Sequence, residues 1–311
     1  MHTNDPDVRR PAPGTLEPGC VAVKKGRLAR LAAAPALALA ILSAAGSGCA
    51  HVTNFLDPAG PRYDEALAPP VDSAACSGHA SALTAVTFNI EHSRKIDEAI
   101  DVLRSAPQLK DADVLLLQEM NPPAVARIAA ALSMNSLHFP SGVHPQSKQE
   151  FGTAVLSRWA IEDARKIVLP HAAFITNLRR AVTQATLRCG ERRIVAMSLH
   201  LSAPLALSYE DRQEQVESIL EHAKSIADPL IVAGDFNARW VGELFEKAGF
   251  DWLSKALPGT ASGLGMRLKY DHVFARGFKP APGGPSAGVG DAKGSSDHHP
   301  MWVRLQFPPA P

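Results

Sequence analysis

Ile231-Val232-Ala233-Gly234-Asp235-Phe236-Asn237 is the stretch on which the predicted fold rests. Its first residues form an apolar run too short for a helix, which is typical of a buried strand. Gly234 lets the backbone turn where a side chain would obstruct it, and Asp235 and Asn237 project to the same side of an extended chain. Because ligands of open α/β sheets bind beyond the carboxyl ends of strands, the stretch predicts a functional site. The alternative is that Asp235 only caps a helix beginning near Arg239.

Polar residues suited to phosphate or metal binding also occur at the ends of other apolar strands. Each of them alone is a weak signal, but their order along the chain is much more specific. They are Asn89 after 83–88, Glu119 after 114–117, His200 after 194–199, Asp271 within 270–274, and Asp297 and His298 before the closing strand 301–305.

This order resembles the endonuclease/exonuclease/phosphatase superfamily, which includes pancreatic-type deoxyribonucleases, apurinic endonucleases, neutral sphingomyelinases and inositol-polyphosphate phosphatases. The resemblance covers roughly residues 83–307. It is carried by Phe88-Asn89-Ile90, Leu117-Gln118-Glu119, Gly234-Asp235-Phe236-Asn237 and Ser296-Asp297-His298. It implies an α/β fold of the pancreatic-deoxyribonuclease type, a four-layer sandwich of two packed, mixed, largely antiparallel sheets flanked by helices. A predicted hairpin at Gly190-Glu191, together with helical crossovers elsewhere, suggests the same architecture.

A divalent metal ion is the first chemical expectation. Glu119 follows the most apolar strand and offers a hard oxygen ligand suited to Mg²⁺, which typically takes one or two carboxylates. Asn89 is predicted to orient this carboxylate or to bind the ion beside it. The resemblance supports both roles and adds Asp297 as a further ligand. We therefore predict Mg²⁺ as the cofactor, with Mn²⁺ as the alternative.

Hydrolysis of a phosphate ester requires an aligned water molecule and groups that stabilise charge on the phosphate and on the leaving oxygen. Asp235 suits the attacking water, and Asn237 can donate to a phosphate oxygen. By resemblance, Asp271 orients His298, and His200 binds the phosphate or protonates the leaving group. Either the histidine pair or Asp235 is the general base.

Arg180 resembles the family arginine that reaches the substrate phosphate, with a solvated surface charge as its alternative. The remaining histidines considered are predicted to be surface or supporting residues. They are His92, His138, His144, His171, His272 and His299.

Residues 1–48 are predicted to be a secretory signal peptide of the lipoprotein type. Basic residues between positions 24 and 30 precede the Ala- and Leu-rich stretch 31–45, which is too short for a comfortable membrane span. Cys49 then resembles the lipidated cysteine of bacterial lipoproteins. We expect an exported protein anchored to a membrane through Cys49 and facing the periplasm or the exterior. Ordinary secretion after cleavage near Ala45 is the alternative, because Gly46 stands where the lipoprotein pattern prefers Leu.

Residues 49–80, rich in Pro, Ala, Gly and Ser, are predicted to be a tether, and residues 81–311 the catalytic domain. Cys76 and Cys189 could pair in an oxidising periplasm, although two free thiols are equally compatible with the sequence.

The charge balance bears on the substrate. Residues 1–48 hold six of the 32 basic and three of the 31 acidic residues, which leaves 26 and 28 and a formal charge of about −2. Proteins that bind duplexes through non-specific phosphate contacts usually carry a basic excess. We therefore predict a phosphoesterase that hydrolyses phosphodiester or phosphomonoester bonds by water attack at an Mg²⁺-bound phosphate. The substrate is a small molecule, a lipid headgroup or a nucleic acid, and no protein partner is inferred. The alternatives are an extracytoplasmic nuclease on DNA or RNA and an inactive lipid-anchored binding module.

Overall fold

A computed structural model describes residues 52–68, 82–144, 147–263 and 266–307. The predicted signal peptide, Cys49 and Cys76 lie outside the described residues. No helix within the described ranges is long and apolar enough to span a membrane.

The described residues form short strands and four α-helices, and a one-turn 3₁₀ helix covers Glu91–Ser93. The strands are β1 (Tyr63–Glu65), β2 (Ala82–Asn89), β3 (Val114–Met120), β4 (Asn135–Val143), β5 (Glu150–Ser157), β6 (Ala160–Ala172), β7 (Arg179–Cys189), β8 (Arg192–His200), β9 (Leu230–Asp235), β10 (Asp251–Trp252), β11 (Ala261–Gly263), β12 (Met266–Leu268), β13 (Asp271–Arg276), β14 (Lys279–Pro280), β15 (Ala287–Val289) and β16 (Met301–Gln306). The helices are α1 (Ile96–Ser105), α2 (Pro122–Leu132), α3 (Tyr209–Lys224) and α4 (Val241–Lys247).

Two sheets form the centre of the molecule. The first has the order β1-β4-β5-β3-β2-β16-β14, with β15 also paired to β16, and the second has the order β10-β13-β9-β8-β7-β6. Within the described residues, β2–β3 and β8–β9 are the parallel pairs of these sheets, and the remaining pairs are antiparallel. The predicted pair of mixed, largely antiparallel sheets is confirmed.

The apolar residues of β9 show how the four layers are held together. Ile231 and Ala233 point into the core between the two sheets, whereas Leu230 and Val232 point into the core between the second sheet and helices α3 and α4. A third core fills the space between the first sheet and helices α1 and α2. A strand buried on both faces needs apolar residues at every position, which explains its continuous apolar run.

Part of the predicted tether folds against the domain, which corrects the sequence-based boundary. Residues 52–68, here called the N-terminal strap, pair with β4 through β1 and through a bridge between Asn54 and Gly142. The exposed backbone edge of β4 accounts for this, since an edge strand offers unpaired donors and acceptors to any neighbouring segment. The strap is therefore part of the first sheet.

Cys189 at the end of β7 is disulfide-bonded. The other half of this bond lies outside the described residues, so the pairing with Cys76 stays a prediction.

Candidate active site

Asp235 is held at the end of β9 by the local geometry of its neighbours. Gly234 has a φ of +152°, and a Cβ at this position would lie 1.9 Å from the carbonyl oxygen of Leu199 on the adjacent strand. Oδ1 of Asp235 accepts a hydrogen bond of 2.8 Å from the backbone N–H of Asn237. The carboxylate of Asp235 therefore stabilises the turn that follows it in the chain. Helix α4 begins after Trp240 without a side-chain cap, so the alternative role of Asp235 as its cap is wrong.

The other oxygen of Asp235 is the meeting point of three predicted site residues. Oδ2 lies 3.1 Å from Nδ2 of Asn89, 3.5 Å from Nε2 of His200 and 3.7 Å from Nε2 of His298. Burial and the nearby carboxylate of Asp271 raise the pKa of Asp235 to about 7, although His298 opposes the shift. Asp235 thus combines the position and the pKa of a group that exchanges a proton near neutral pH.

His298 is oriented by Asp271, as the resemblance implies. Nδ1 of His298 donates a hydrogen bond of 2.7 Å to Oδ2 of Asp271, and the hydroxyl of Thr260 donates to the same oxygen at 2.5 Å. Burial lowers the pKa of His298, but the charge and hydrogen bond of Asp271 outweigh it, so that the pKa rises to about 10. His298 is therefore a protonated imidazolium directed at Asp235.

Glu119 lies at a bulge near the end of β3, where the register with β5 shifts, and has a φ of +61°. Its Oε2 accepts a hydrogen bond of 2.8 Å from the backbone N–H of His92, and its Oε1 lies 3.4 Å from Nδ2 of Asn89. The amide nitrogen of Asn89 thus bridges the carboxylates of Glu119 and Asp235. This contact corresponds to the first predicted role of Asn89, orientation of the Glu119 carboxylate.

A buried pair between the two sheets holds Glu119 opposite His200. The side chain of Gln118 donates to the hydroxyl of Ser198 at 3.1 Å, and that hydroxyl donates to the carbonyl of Leu117 at 2.9 Å. Ser198 is two residues before His200, so this pair sets the register of one strand end against the other.

His200 is flanked by Arg180. Nη1 of Arg180 lies 3.4 Å from Nδ1 of His200. Burial lowers the pKa of His200 well below its ordinary value, and the positive charge of Arg180 lowers it further. His200 is therefore neutral. With Nδ1 accepting from Arg180, its Nε2–H faces Asp235.

Three residues beside this cluster were missed as site residues. His92, His144 and Phe151 form an aromatic wall, with ring centroids 4.6 Å apart between His92 and His144 and 5.4 Å apart between His144 and Phe151. The guanidinium of Arg180 lies over Phe151 at 5.1 Å. This position is compatible with the supporting role that was one of the two predicted for His92 and His144. Nothing in the sequence signals the turn that places His92, because Glu91, His92 and Ser93 adopt positive φ without a glycine.

Two further histidines are buried rather than exposed at the surface, and two other residues position groups of the site. His138 and His272 are fully buried, and Nε2 of His272 lies 2.9 Å from the carbonyl of Ala238. Arg212 is buried and donates to the carbonyl of Asn237 at 2.7 Å. Thr260 therefore positions the carboxylate of Asp271, and Arg212 positions the turn at Asn237. No sequence motif identifies either residue.

Asp297 and Asn237 have less direct positions. The hydroxyl of Ser296 donates to the carbonyl of Asn89 at 2.7 Å, which brings the neighbouring Asp297 close to the end of β2. Asp297 itself is exposed, and no hydrogen bond or ion pair in the described ranges joins its carboxylate to Glu119. Asn237 donates from Nδ2 to the carbonyl of Leu201 at 3.0 Å, which leaves one amide hydrogen for a ligand.

The donor set fits a hard divalent cation. Three carboxylates, Glu119, Asp235 and Asp271, lie in one largely buried cluster, and hard carboxylate oxygens are the ligands that Mg²⁺ prefers. Asp235, Asp271 and His298 place ligand atoms within 4.8 Å of one another, but these three could hold an ion only with His298 deprotonated, which its raised pKa disfavours. Oδ1 of Asp271 is buried and has no hydrogen-bond partner among the described residues.

Comparisons with known proteins identify the family of the chain. The family model described as Endonuclease/Exonuclease/phosphatase family matches residues 86–298. No curated protein matches the chain in sequence.

Solved structures share the fold at low sequence identity. TDP2 of D. rerio in complex with a single-strand DNA product has a TM-score of 0.57 and 19% identity, over 72% of this chain and 99% of that one. A family protein from Leptotrichia buccalis has a TM-score of 0.56 and 16% identity, over 72% and 100%. The mannosyl-6-phosphatase Bt3783 of Bacteroides thetaiotaomicron has a TM-score of 0.52 and 18% identity, over 72% and 100%.

The matched segment covers more than half of the chain and runs through the motifs from Asn89 to His298. The chain therefore belongs to the endonuclease/exonuclease/phosphatase family, whose members are hydrolases of phosphate esters that generally use a divalent metal ion.

Proposed function

We propose that this chain is an Mg²⁺-dependent phosphoesterase, with Mn²⁺ as the alternative ion, which hydrolyses phosphodiester or phosphomonoester bonds. One observation carries the proposal. Asn89, His200 and His298 reach the same carboxylate oxygen of Asp235 from different elements, and Glu119 lies beside them. Such a convergence of acid, base and amide groups is what attack of water on a phosphate requires.

Glu119 would hold the metal ion, with Asn89 beside it and Asp297 as a further ligand. When bound, the ion neutralises charge on the phosphate oxygens. The hydrogen bond from the backbone of His92 fixes one oxygen of Glu119, and Asn89 orients the other. The chain thus provides a preorganised carboxylate rather than one that must reorder on binding.

Asp235 would accept a proton from the attacking water, and His298 would stabilise the negative charge that develops on the phosphate. The pKa of Asp235, near 7, suits acceptance of a proton from the attacking water, and Asn237 keeps a donor for a phosphate oxygen. His298 is charged because of Asp271, so it would stabilise negative charge on the phosphate. These states favour Asp235 over the histidines as the general base.

His200 and Arg180 would bind the phosphate from the second sheet. Arg180 makes no ion pair within 4 Å in the described ranges, and it lies against Phe151 with its charge toward the cluster. A guanidinium in that setting is suited to a phosphate oxygen. Neutral His200 can then donate a hydrogen bond from Nε2.

We also propose that the protein is exported and anchored through lipidated Cys49. The support is the basic stretch before 31–45 and the cysteine that follows it.

The test is hydrolysis of a substrate panel with Mg²⁺, with Mn²⁺ and with a chelator. The panel contains plasmid DNA, RNA, a nitrophenyl phosphodiester, a nitrophenyl phosphomonoester, inositol phosphates and phospholipid vesicles. One similar structure contains a DNA product and another is named a phosphatase, so both classes belong in it. Chelator-sensitive turnover of a small ester is expected. Cleavage of nucleic acid alone would favour the nuclease alternative, and no hydrolysis with either metal would favour an inactive binding module.

A further inference from the structure

Two loops beside the active site expose large apolar side chains. The first loop joins β6 to β7 and the second joins β8 to α3, and together residues 173–178 and 201–208 are called the apolar loop pair. Phe174 is 67% exposed, Ile175 84% and Leu205 87%. Clustered exposure of this kind marks an interaction surface, since single scattered apolar residues are the usual case on soluble proteins.

The three side chains come from neighbouring backbone. The N–H of Phe174 donates to the carbonyl of Ala206 at 2.9 Å, which joins the tips of the two loops. The first loop is also closed on itself by the bond from the N–H of Asn177 to the carbonyl of Ala173, at 2.8 Å. Phe174, Ile175 and Leu205 are therefore exposed on neighbouring loops that one backbone hydrogen bond joins.

The apolar loop pair lies at the end of the sheet that carries the site. Arg180 lies five residues after Ile175, and His200 lies five residues before Leu205. Strands β7 and β8 are antiparallel neighbours, so the start of one and the end of the other share an edge. The apolar loop pair thus borders the mouth of the candidate active site.

The charge of these loops suits a lipid surface. Residues 169–180 and 201–209 contain no Asp or Glu, and Arg179 and Arg180 close the first loop. The loops themselves would therefore carry no carboxylate into a bilayer interface, the nearby Asp211 and Glu214 are paired with His171, and Arg179 would meet the phosphate layer.

The start of the N-terminal strap lies at the same place. Nδ2 of Asn54 donates to the carbonyl of Asn177 at 2.7 Å, and Oδ1 of Asn54 accepts from the N–H of Arg179 at 2.8 Å. Cys49 is five residues before Asn54, so chain length alone keeps it within about 18 Å of this loop. A lipid on Cys49 would therefore hold the apolar loop pair near the membrane.

We propose that Phe174, Ile175 and Leu205 insert into the interface of a phospholipid bilayer and present the active-site mouth to phosphate esters of lipid headgroups. The apolar side chains provide the attachment, and the anchor at Cys49 keeps that face close to the bilayer. The substrate part rests on the proposed function, whereas the docking part rests on the surface alone.

The test uses the predicted mature chain, residues 49–311, with Cys49→Ser, so that neither an acyl chain nor the apolar stretch 31–45 contributes to binding. Sedimentation with vesicles of phosphatidylethanolamine and phosphatidylglycerol gives the partition coefficient. Replacing Phe174, Ile175 and Leu205 together by Ser should lower it roughly tenfold or more, because transfer of apolar area drives insertion. The single change Leu205→Asp should also lower it, and thermal unfolding checks that both variants remain folded.

Leu67→Ser is the matched control. Leu67 is 43% exposed and lies next to Ala68, which bonds to Asn135 at the opposite end of β4. Its replacement should leave the partition coefficient unchanged. Failure of the Cys49→Ser chain to bind vesicles, or equal binding by the triple variant, would overturn the docking proposal and leave a protein partner for this face.

Activity separates this proposal from the proposed function. The chain should hydrolyse phospholipid in vesicles, and the triple variant should do so at least tenfold more slowly. Hydrolysis of a soluble nitrophenyl phosphodiester without hydrolysis of vesicle lipid would overturn the lipid substrate only. Vesicle binding that depends on the loops, without hydrolysis of any ester, would support docking and contradict the proposed function.

Discussion

Asp271 and His298 are 27 residues apart in the chain, yet Oδ2 of Asp271 lies 2.7 Å from Nδ1 of His298. Asp271 begins β13, which pairs with β9, so the same pairing places it directly opposite Asp235. One strand pairing therefore provides the orienting carboxylate for His298 and a second negative charge near Asp235.

Asp271→Asn should lower kcat by roughly 10²- to 10⁴-fold, because His298 loses the partner that orients it. The pKa of His298, about 10 with Asp271 present, should fall in the variant. His298 should then lose its proton at a lower pH, so the loss of activity at high pH should also begin at a lower pH. The pH–rate profile measures this shift. Asp291→Asn, at an exposed carboxylate 3.8 Å from His299, is the control. An unchanged alkaline limb would contradict the role of Asp271.

Glu119→Gln should abolish Mg²⁺-supported turnover, with a loss of roughly a hundredfold or more, because an amide binds hard cations weakly. The fold should stay intact, since the change is isosteric and the side chain is partly exposed. Isothermal titration with Mg²⁺ provides a second measurement, independent of activity. Glu91→Gln is the matched control, because the Glu91 carboxylate pairs with Arg94 at the surface. Equal Mg²⁺ affinity in both variants would refute the assignment.

Cys49→Ser should move the protein from the membrane fraction to the soluble fraction when cells are broken in high salt. The reason is that acylation provides most of the membrane affinity of a lipoprotein. The weaker attachment by the apolar loop pair is reversible and should not survive repeated washing. Labelling with a fatty acid should be lost in parallel. An unlabelled parent chain would support ordinary secretion instead.

Gly234→Ala should cost about 3 kcal/mol or more, or prevent accumulation of the protein, because the new methyl group would overlap the carbonyl of Leu199. Gly249 also has a positive φ, of +85°, but an added Cβ there would meet no atom within 4 Å. Gly249→Ala should therefore cost only about 1 kcal/mol. Urea denaturation measures both. Similar losses would mean that the close approach to β8 is relieved by a small shift.

His272 should make the protein sensitive to acid. Burial lowers the pKa of His272 from 6.5 to about 4, although the hydrogen bond from Nε2 to the carbonyl of Ala238 opposes the shift. Nδ1 accepts from the indole N–H of Trp252 only when the ring is neutral. The folded state binds this proton less tightly than the unfolded state. Stability is therefore complete above about pH 6.5 and is lost as the pH falls toward 4, by about 3 kcal/mol for this group.

Denaturation at a series of pH values tests this. His272→Gln should be less stable at neutral pH but should show a shallower decline toward pH 4, with His138 and His200 contributing to the slope that remains. A parallel decline in His272→Gln would show that His272 does not contribute.

The candidate site was largely predictable because its residues follow strand ends. Asn89 and Glu119 lie on the parallel pair β2–β3, and His200 and Asp235 on the parallel pair β8–β9. Parallel neighbours bring their carboxyl ends to one edge, so a polar residue after each apolar run had to lie near its partner. Local sequence carries this information.

Other parts of the site could not be read in the same way. His92 reaches Glu119 through a left-handed turn without glycine, and Arg212 reaches the turn after Asp235 from a helix. Neither residue type nor spacing distinguishes them from surface residues. The sequence of the N-terminal strap is likewise typical of a tether, because its docking depends on the edge of β4, which the strap sequence does not reveal.

The sequence by itself determined which strands are apolar on both faces, the turn at Gly234 before Asp235 and the order of the polar residues. These features depend on residues that are near neighbours in the chain. Only the tertiary structure decided which face of the molecule carries the aromatic wall, the apolar loop pair and the start of the strap. These features meet through contacts between distant segments, such as the bonds of Asn54 to the loop before Arg179. Such contacts depend on how the sheets pack and pair, which no local pattern records.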